Sequence, residues 1–121
     1  MSAHQAVCHL ADSFRFVLGE RPTDMRSSFL TKTVIRVVAL TLPVAWPKGV
    51  ATVPEMDQEV GGTAPSDFKV DVDELKVLIG RFVALTGRGM DTHPIFGDLT
   101  PGEWGRWGFR HMDHHLTQFS A

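Results

Sequence analysis

The chain has 121 residues, 43% of them hydrophobic, with 12 Lys and Arg against 14 Asp and Glu for a formal charge of -2. That length suits one domain, residues 1–121, around one core. Without a basic stripe to track phosphates, nucleic acid is not an expected partner. The single cysteine, Cys8, excludes an internal disulfide and fits a reducing compartment. The most apolar run, 34–46, is broken by Arg36 and Pro43 and falls short of a membrane span of ~20 residues. The N-terminus lacks a signal-peptide pattern, so the expected location is cytoplasmic.

The first predicted element begins almost at once. Ser2 and Gln5 have the spacing of a capping box, and Val7, Leu10, Phe14 and Val17 form one helical stripe. Gly19 and Pro22 stop the helix, placing it at about 3–18. The next segment, 27–42, is two-sided. Thr33, Val34, Ile35, Val37 and Val38 favour a strand by propensity. Leu30, Val34, Val37, Val38 and Thr41 follow helical spacing, and the length predicts a helix ending at Pro43.

Residues 43–69 then read as a long connection punctuated by proline and glycine, either functional or draped over the bundle. Asp71 and Glu74 mark the start of a third helix with the stripe Leu75, Leu78, Phe82 and Leu85, ended by Gly87. Thr100-Pro101-Gly102-Glu103 opens the last helix with an N-cap, a proline at the first position and a capping-box glutamate. Phe109, Met112, Leu116 and Phe119 are its expected core stripe. The result is an all-α helical bundle.

Histidines carry the chemical signal. His111 and His115, at i and i+4, lie about 40° apart on a helix and can approach one ion from the same side. His114 points elsewhere. Trp104, Gly108, His111, His115 and Gln118 form a stripe beside the expected apolar one, and His9 stands in the same relation to the stripe of the first helix. Two helices packed through their apolar stripes would bring the three imidazoles to one cleft. A lone His9 also fits a boundary position, and a His pair also suits a solvated face. Residue types alone leave both readings open.

The segment His93-Pro94-Ile95-Phe96-Gly97-Asp98-Leu99-Thr100-Pro101-Gly102-Glu103-Trp104, with His111-Met112-Asp113-His114-His115-Leu116-Thr117-Gln118-Phe119, resembles the C-terminal signature of an uncharacterised branch of the DinB-like superfamily. Cys8-His9-Leu10-Ala11-Asp12-Ser13 resembles the metal-bearing helix of that superfamily's N-terminal half. Together these motifs cover about a third of the chain. The resemblance implies a four-helix bundle of up-down-down-up type with His9, His111 and His115 as ligands of a divalent metal such as zinc or nickel. It also implies a low-molecular-weight thiol cofactor, since several relatives are thiol-dependent transferases or isomerases. One departure is that the family's additional first helix is missing before the His9 helix. Either segment 27–42 replaces it or the chain is a shortened form.

Three neutral imidazoles leave coordination positions open to water or substrate, which suits catalysis better than a closed structural site. Asp12 and Gln118 are candidates to orient the ligand rings, and Asp12 is the available, though weak, candidate for a catalytic base; the catalytic group is otherwise unknown. Trp104 and Trp107 are candidate pocket residues at the cavity mouth. His93 and His114 are second-choice ligands, and Cys8 reads as a small buried core residue. The leading expectation is a metal-dependent thiol transferase or hydrolase acting on a small-molecule substrate. The competing one is a non-catalytic bundle, its metal structural or absent, that binds small molecules or mediates association. A bundle short of one helix would expose an apolar groove, so a homodimer is the expected assembly.

Overall fold

The computed structural model describes residues 1–20, 28–46, 61–85, 93 and 95–119. Four α-helices and no strand are found among them, giving an all-α four-helix bundle. Helix α1 spans Ala3–Val17. Ser2 Oγ accepts from the Gln5 N–H at 3.1 Å while Gln5 Oε1 accepts from the Ser2 N–H at 2.7 Å, so two otherwise orphaned donors are satisfied reciprocally. At the far end Gly19 takes φ 78°, a region open to glycine at no steric cost. The N–H groups of Gly19 and Glu20 then close back on Phe16 and Arg15, capping the last carbonyls.

The segment after Ser28 is helical, as its spacing predicts, but not uniform. A π-helical turn, Thr31–Ile35, precedes a short α2 at Arg36–Leu40. Thr33 Oγ1 donates to the Phe29 carbonyl at 2.6 Å. That hydroxyl competes for a carbonyl the helix ladder would use, within a run of β-branched residues that crowd an α-helix. The ladder widens there and resumes as α2, which stops at Leu40 rather than reaching Pro43. Residue 27, Pro22, Gly87 and positions 47–60 of the connection lie outside the described residues.

Helix α3 spans Phe68–Leu85, its start held by Asp67 Oδ1 accepting from the Val70 N–H at 2.9 Å. Leu75, Leu78 and Phe82 are buried as expected, whereas Leu85 is exposed. Helix α4 spans Pro101–Thr117 with the predicted Thr100/Glu103 capping box in place. Glu103 also receives Arg36 in a two-pronged ion pair, with Nε donating to Oε2 at 2.6 Å and Nη2 to Oε1, and this ties α2 to α4.

Helix α1 is the central element. It packs on α3 and α4, and every residue from Ala6 to Phe14 is buried, including His9, which spacing placed beside the core rather than in it, and Asp12 and Ser13. The core face of α4 also departs from expectation. Phe109 is 71% exposed and Phe119 is exposed too, while Trp104, Trp107 and Gly108 are buried. Two indoles remove more apolar area from water than the phenylalanine stripe, so the tryptophan side turns inward and carries His111 and His115 with it. Phe14 meets Phe82 and Trp107 edge to face, and Phe82 lies tilted on Trp107, with centroids 5.1–5.8 Å apart.

Candidate metal centre

Helix α1 supplies His9 and helix α4 supplies His111 and His115, one turn apart on its buried side. One nitrogen from each ring lies within 4.8 Å of the other two. His9 Nε2 and His111 Nε2 are 3.2 Å apart. Two nitrogens bound tetrahedrally to one zinc at ~2.0–2.1 Å stand about 3.3 Å from each other, so this pair is already at ligand separation. The His115 ring centroid is 4.6 Å from that of His9 and 5.0 Å from that of His111. His9 is 3% exposed and the other two are half-buried.

The electrostatics favour the neutral, lone-pair-bearing form. Burial, and then the neighbouring His9 and His115, hold His111 well below the ordinary histidine range. Burial and the nearby His9 lower His115 to about 4. Nδ1 of His111 and Nδ1 of His115 are buried and have no hydrogen-bond partner among the described residues. Buried polar atoms are nearly always satisfied, so these two nitrogens, like Nε2 of His93 in the neighbouring turn, leave capacity for a further partner. The three-nitrogen donor set suits zinc, nickel and similar borderline ions.

Around the rings the arrangement departs from the sequence reading. Asp12 is fully buried, and its carboxylate accepts from the Thr63 N–H and Oγ1, both at 2.7 Å, and from Arg15 Nη1 at 3.0 Å. It fastens the end of the long connection onto α1 rather than presenting a free base. Gln118 sits at the exposed C-cap of α4 and leaves His115 Nδ1 unsatisfied, so it does not orient that ring. Trp104 lies in the core against Phe82 and His93, not at a cavity mouth. Trp107 is buried as well and forms the floor under His111, centroids 5.4 Å apart.

His114 and His93 both stay outside the three-nitrogen group. His93 is buried at a tight turn, where Nδ1 accepts from the Ile95 and Phe96 N–H groups. Sequence reasoning missed Trp46, whose ring stands 5.9 Å from His111 and 6.0 Å from His114, fixed by its indole N–H donating to the Ala39 carbonyl at 2.8 Å. No local signal marks an aromatic residue in a proline-bounded loop as neighbour to a helix 65 positions on. A cleft of about 400 Å³ lined by Leu42, Val44, Arg106, Phe109 and Asp113 opens on the opposite side of α4 from the histidines.

Fold and site together define an all-α bundle whose three converging imidazoles could hold a metal ion. The chain belongs to the family described as "Protein of unknown function (DUF1569)", which it matches over residues 2–121. No curated protein and no solved structure matches it.

Proposed function

We propose that this protein is a divalent-metal-dependent enzyme of DinB-like type, a thiol transferase or hydrolase acting on a small molecule, with His9, His111 and His115 holding the ion. The observation that carries the reading is the convergence of three nitrogens, from two helices, within 4.8 Å at the edge of the core. A bound divalent ion would lower the pKa of a water or thiol at an open position. The chain's own contribution is positional. Helix pitch aligns His111 with His115, α1 packing delivers His9, Trp107 backs one ring and Trp46 walls the side toward His114.

Elemental analysis of untagged protein tests the site, with about one ion per chain expected at the three histidines. His111→Ala and His115→Ala should each remove that ion, while His114→Ala keeps most of it. Equal losses at His114 and His115 would assign the wrong helix face. Metal-loaded protein given a low-molecular-weight thiol and an electrophile should consume thiol faster than stripped protein, and His111→Ala should remove the advantage.

A second reading, a non-catalytic metal-holding bundle that binds small molecules or mediates association, draws on the engagement of Asp12 by Thr63 and Arg15, which leaves no carboxylate base evident near the rings among the described residues. Under that reading, stripping the metal lowers the melting temperature and no turnover appears.

A further inference from the structure

Helix α1 carries a second pair at i and i+4, His4 and Cys8, about 100–140° around the helix from His9. This face meets the first turn of α3, where Asp71 does not act only as a helix-terminus acid. His4 Nε2 lies 2.6 Å from Asp71 Oδ2, and Cys8 Sγ lies 3.7 Å from the same oxygen. One ligand atom from each of the three residues falls within 4.8 Å of the others. Cys8 is 2% exposed, whereas the His4 side chain keeps 24% exposure and so connects the cluster to solvent.

We propose that His4, Cys8 and Asp71 form a second divalent-cation site, a sulfur–nitrogen–oxygen set suited to zinc, separate from the three-histidine group. Zinc takes sulfur at ~2.3 Å, imidazole nitrogen at ~2.0–2.1 Å and carboxylate oxygen at ~2.0–2.2 Å, which places tetrahedral neighbours about 3.3–3.6 Å apart. The sulfur–oxygen separation of 3.7 Å is close to that already. The nitrogen–oxygen pair at 2.6 Å is closer because the two atoms share a hydrogen bond. Opening it needs less than ~1 Å of motion by His4, in the first turn of α1, where helices fray most readily. Binding converts the Cys8 thiol to thiolate, its proton passing to water, and exchanges the Nε2 hydrogen of His4 for the ion, that proton going to water from an imidazolium or being replaced by one on Nδ1 in a neutral ring. Without an ion the thiol donates a weak hydrogen bond to the oxygen that His4 already holds; the metal site uses all three groups as ligands.

Because Cys8 is the only cysteine, a spectroscopic test is unambiguous. Untagged protein, reduced with a non-thiol reagent, is titrated with Co²⁺. The expected result is a near-ultraviolet thiolate-to-cobalt charge-transfer band, which no three-imidazole site produces. Cys8→Ser should abolish the band, and His111→Ala should leave it in place. Parent protein that shows the band but holds no ion at the three histidines would overturn the preceding proposal and not this one. His4→Gln lies at the more exposed ligand and keeps the test open if Cys8→Ser fails to fold; it should eliminate the band or weaken the Co²⁺ midpoint by roughly tenfold or more. Absence of the band in the parent protein at saturating Co²⁺, or an unchanged midpoint in His4→Gln, overturns the site.

Discussion

Single atoms decide the sign of a substitution on α4. A glycine inside a helix costs about 0.5–1 kcal/mol relative to alanine, so Gly→Ala ordinarily stabilises. At Gly105 a Cβ would meet nothing within 4 Å, and Gly105→Ala should raise stability by about that amount. At Gly108 the same methyl would sit 2.8 Å from Phe82 Cε1 and 3.2 Å from its Cζ. Phe82 cannot retreat, because Phe14, Trp104 and Trp107 pack around its ring. Gly108→Ala should therefore destabilise by about 1–3 kcal/mol, the usual range for overpacking. Urea melts of the two variants provide the check, and a stabilised Gly108→Ala would show that the packing of α4 on α3 is looser than described.

At the scale of elements, the capping boxes fix where α1 and α4 begin, and the two differ in what else depends on them. Ser2→Ala removes one acceptor at a solvent-exposed end and should cost about 1 kcal/mol. Thr100→Ala removes the equivalent contact. Glu103→Gln keeps an amide oxygen for its box yet should cost more than either, because it removes the charge that receives Arg36 from α2. Arg36 holds the Glu103 carboxyl down to about 2, so the charge it would lose is one the fold uses. Thermal melts of the three variants should rank Glu103→Gln lowest. If its cost falls to that of Thr100→Ala, the link between α2 and α4 contributes little. The element reading succeeded where signals are local and was incomplete at 31–35, where a threonine hydroxyl and β-branched crowding widen the helix without ending it.

For the whole molecule, pH is a direct lever through His93. Burial lowers this imidazole to about 3, and it stays neutral while accepting from two backbone N–H groups. Below an ordinary histidine pKa of ~6.5 the unfolded chain takes up a proton that folded His93 refuses. The contribution is thus fully present above ~6.5 and is lost as pH falls toward about 3, at up to about 1.4 kcal/mol per pH unit. His93→Asn, whose amide oxygen can keep the Nδ1 acceptor role, should flatten the stability-against-pH curve by close to one proton between pH 6 and 4; an unaltered slope would remove His93 as its source.

Assembly belongs to the same scale. The outer side of segment 28–40 exposes Phe29 at 84%, with Leu30, Val34 and Val37, a larger apolar surface than isolated exposed residues make. We propose that a second copy covers it in a symmetric dimer. Light scattering should give twice 13.4 kDa, with Val34→Lys shifting the mass toward the monomer; a parent protein that remains monomeric at high concentration overturns the proposal.

The sequence by itself determined the starts of α1 and α4, the glycine stop of α1 and the pairing of His111 with His115, because each depends on atoms within a turn or two of each other. Caps act between residues three apart, and the pitch of a helix places i and i+4 together whatever surrounds them. Only the tertiary structure decided which side of α4 is buried, since burial is a contest between faces that depends on the area offered by α1 and α3. The tryptophan face prevailed over Phe109 and Phe119, and that outcome drew His111 and His115 to His9, 102 positions away from His111 in the chain. The same holds for Asp12, taken by Thr63 from 51 positions on, and for Asp71, shared by His4 and Cys8. A carboxylate's partner is whichever donor the packing brings within reach, and residue spacing along one helix carries no record of it.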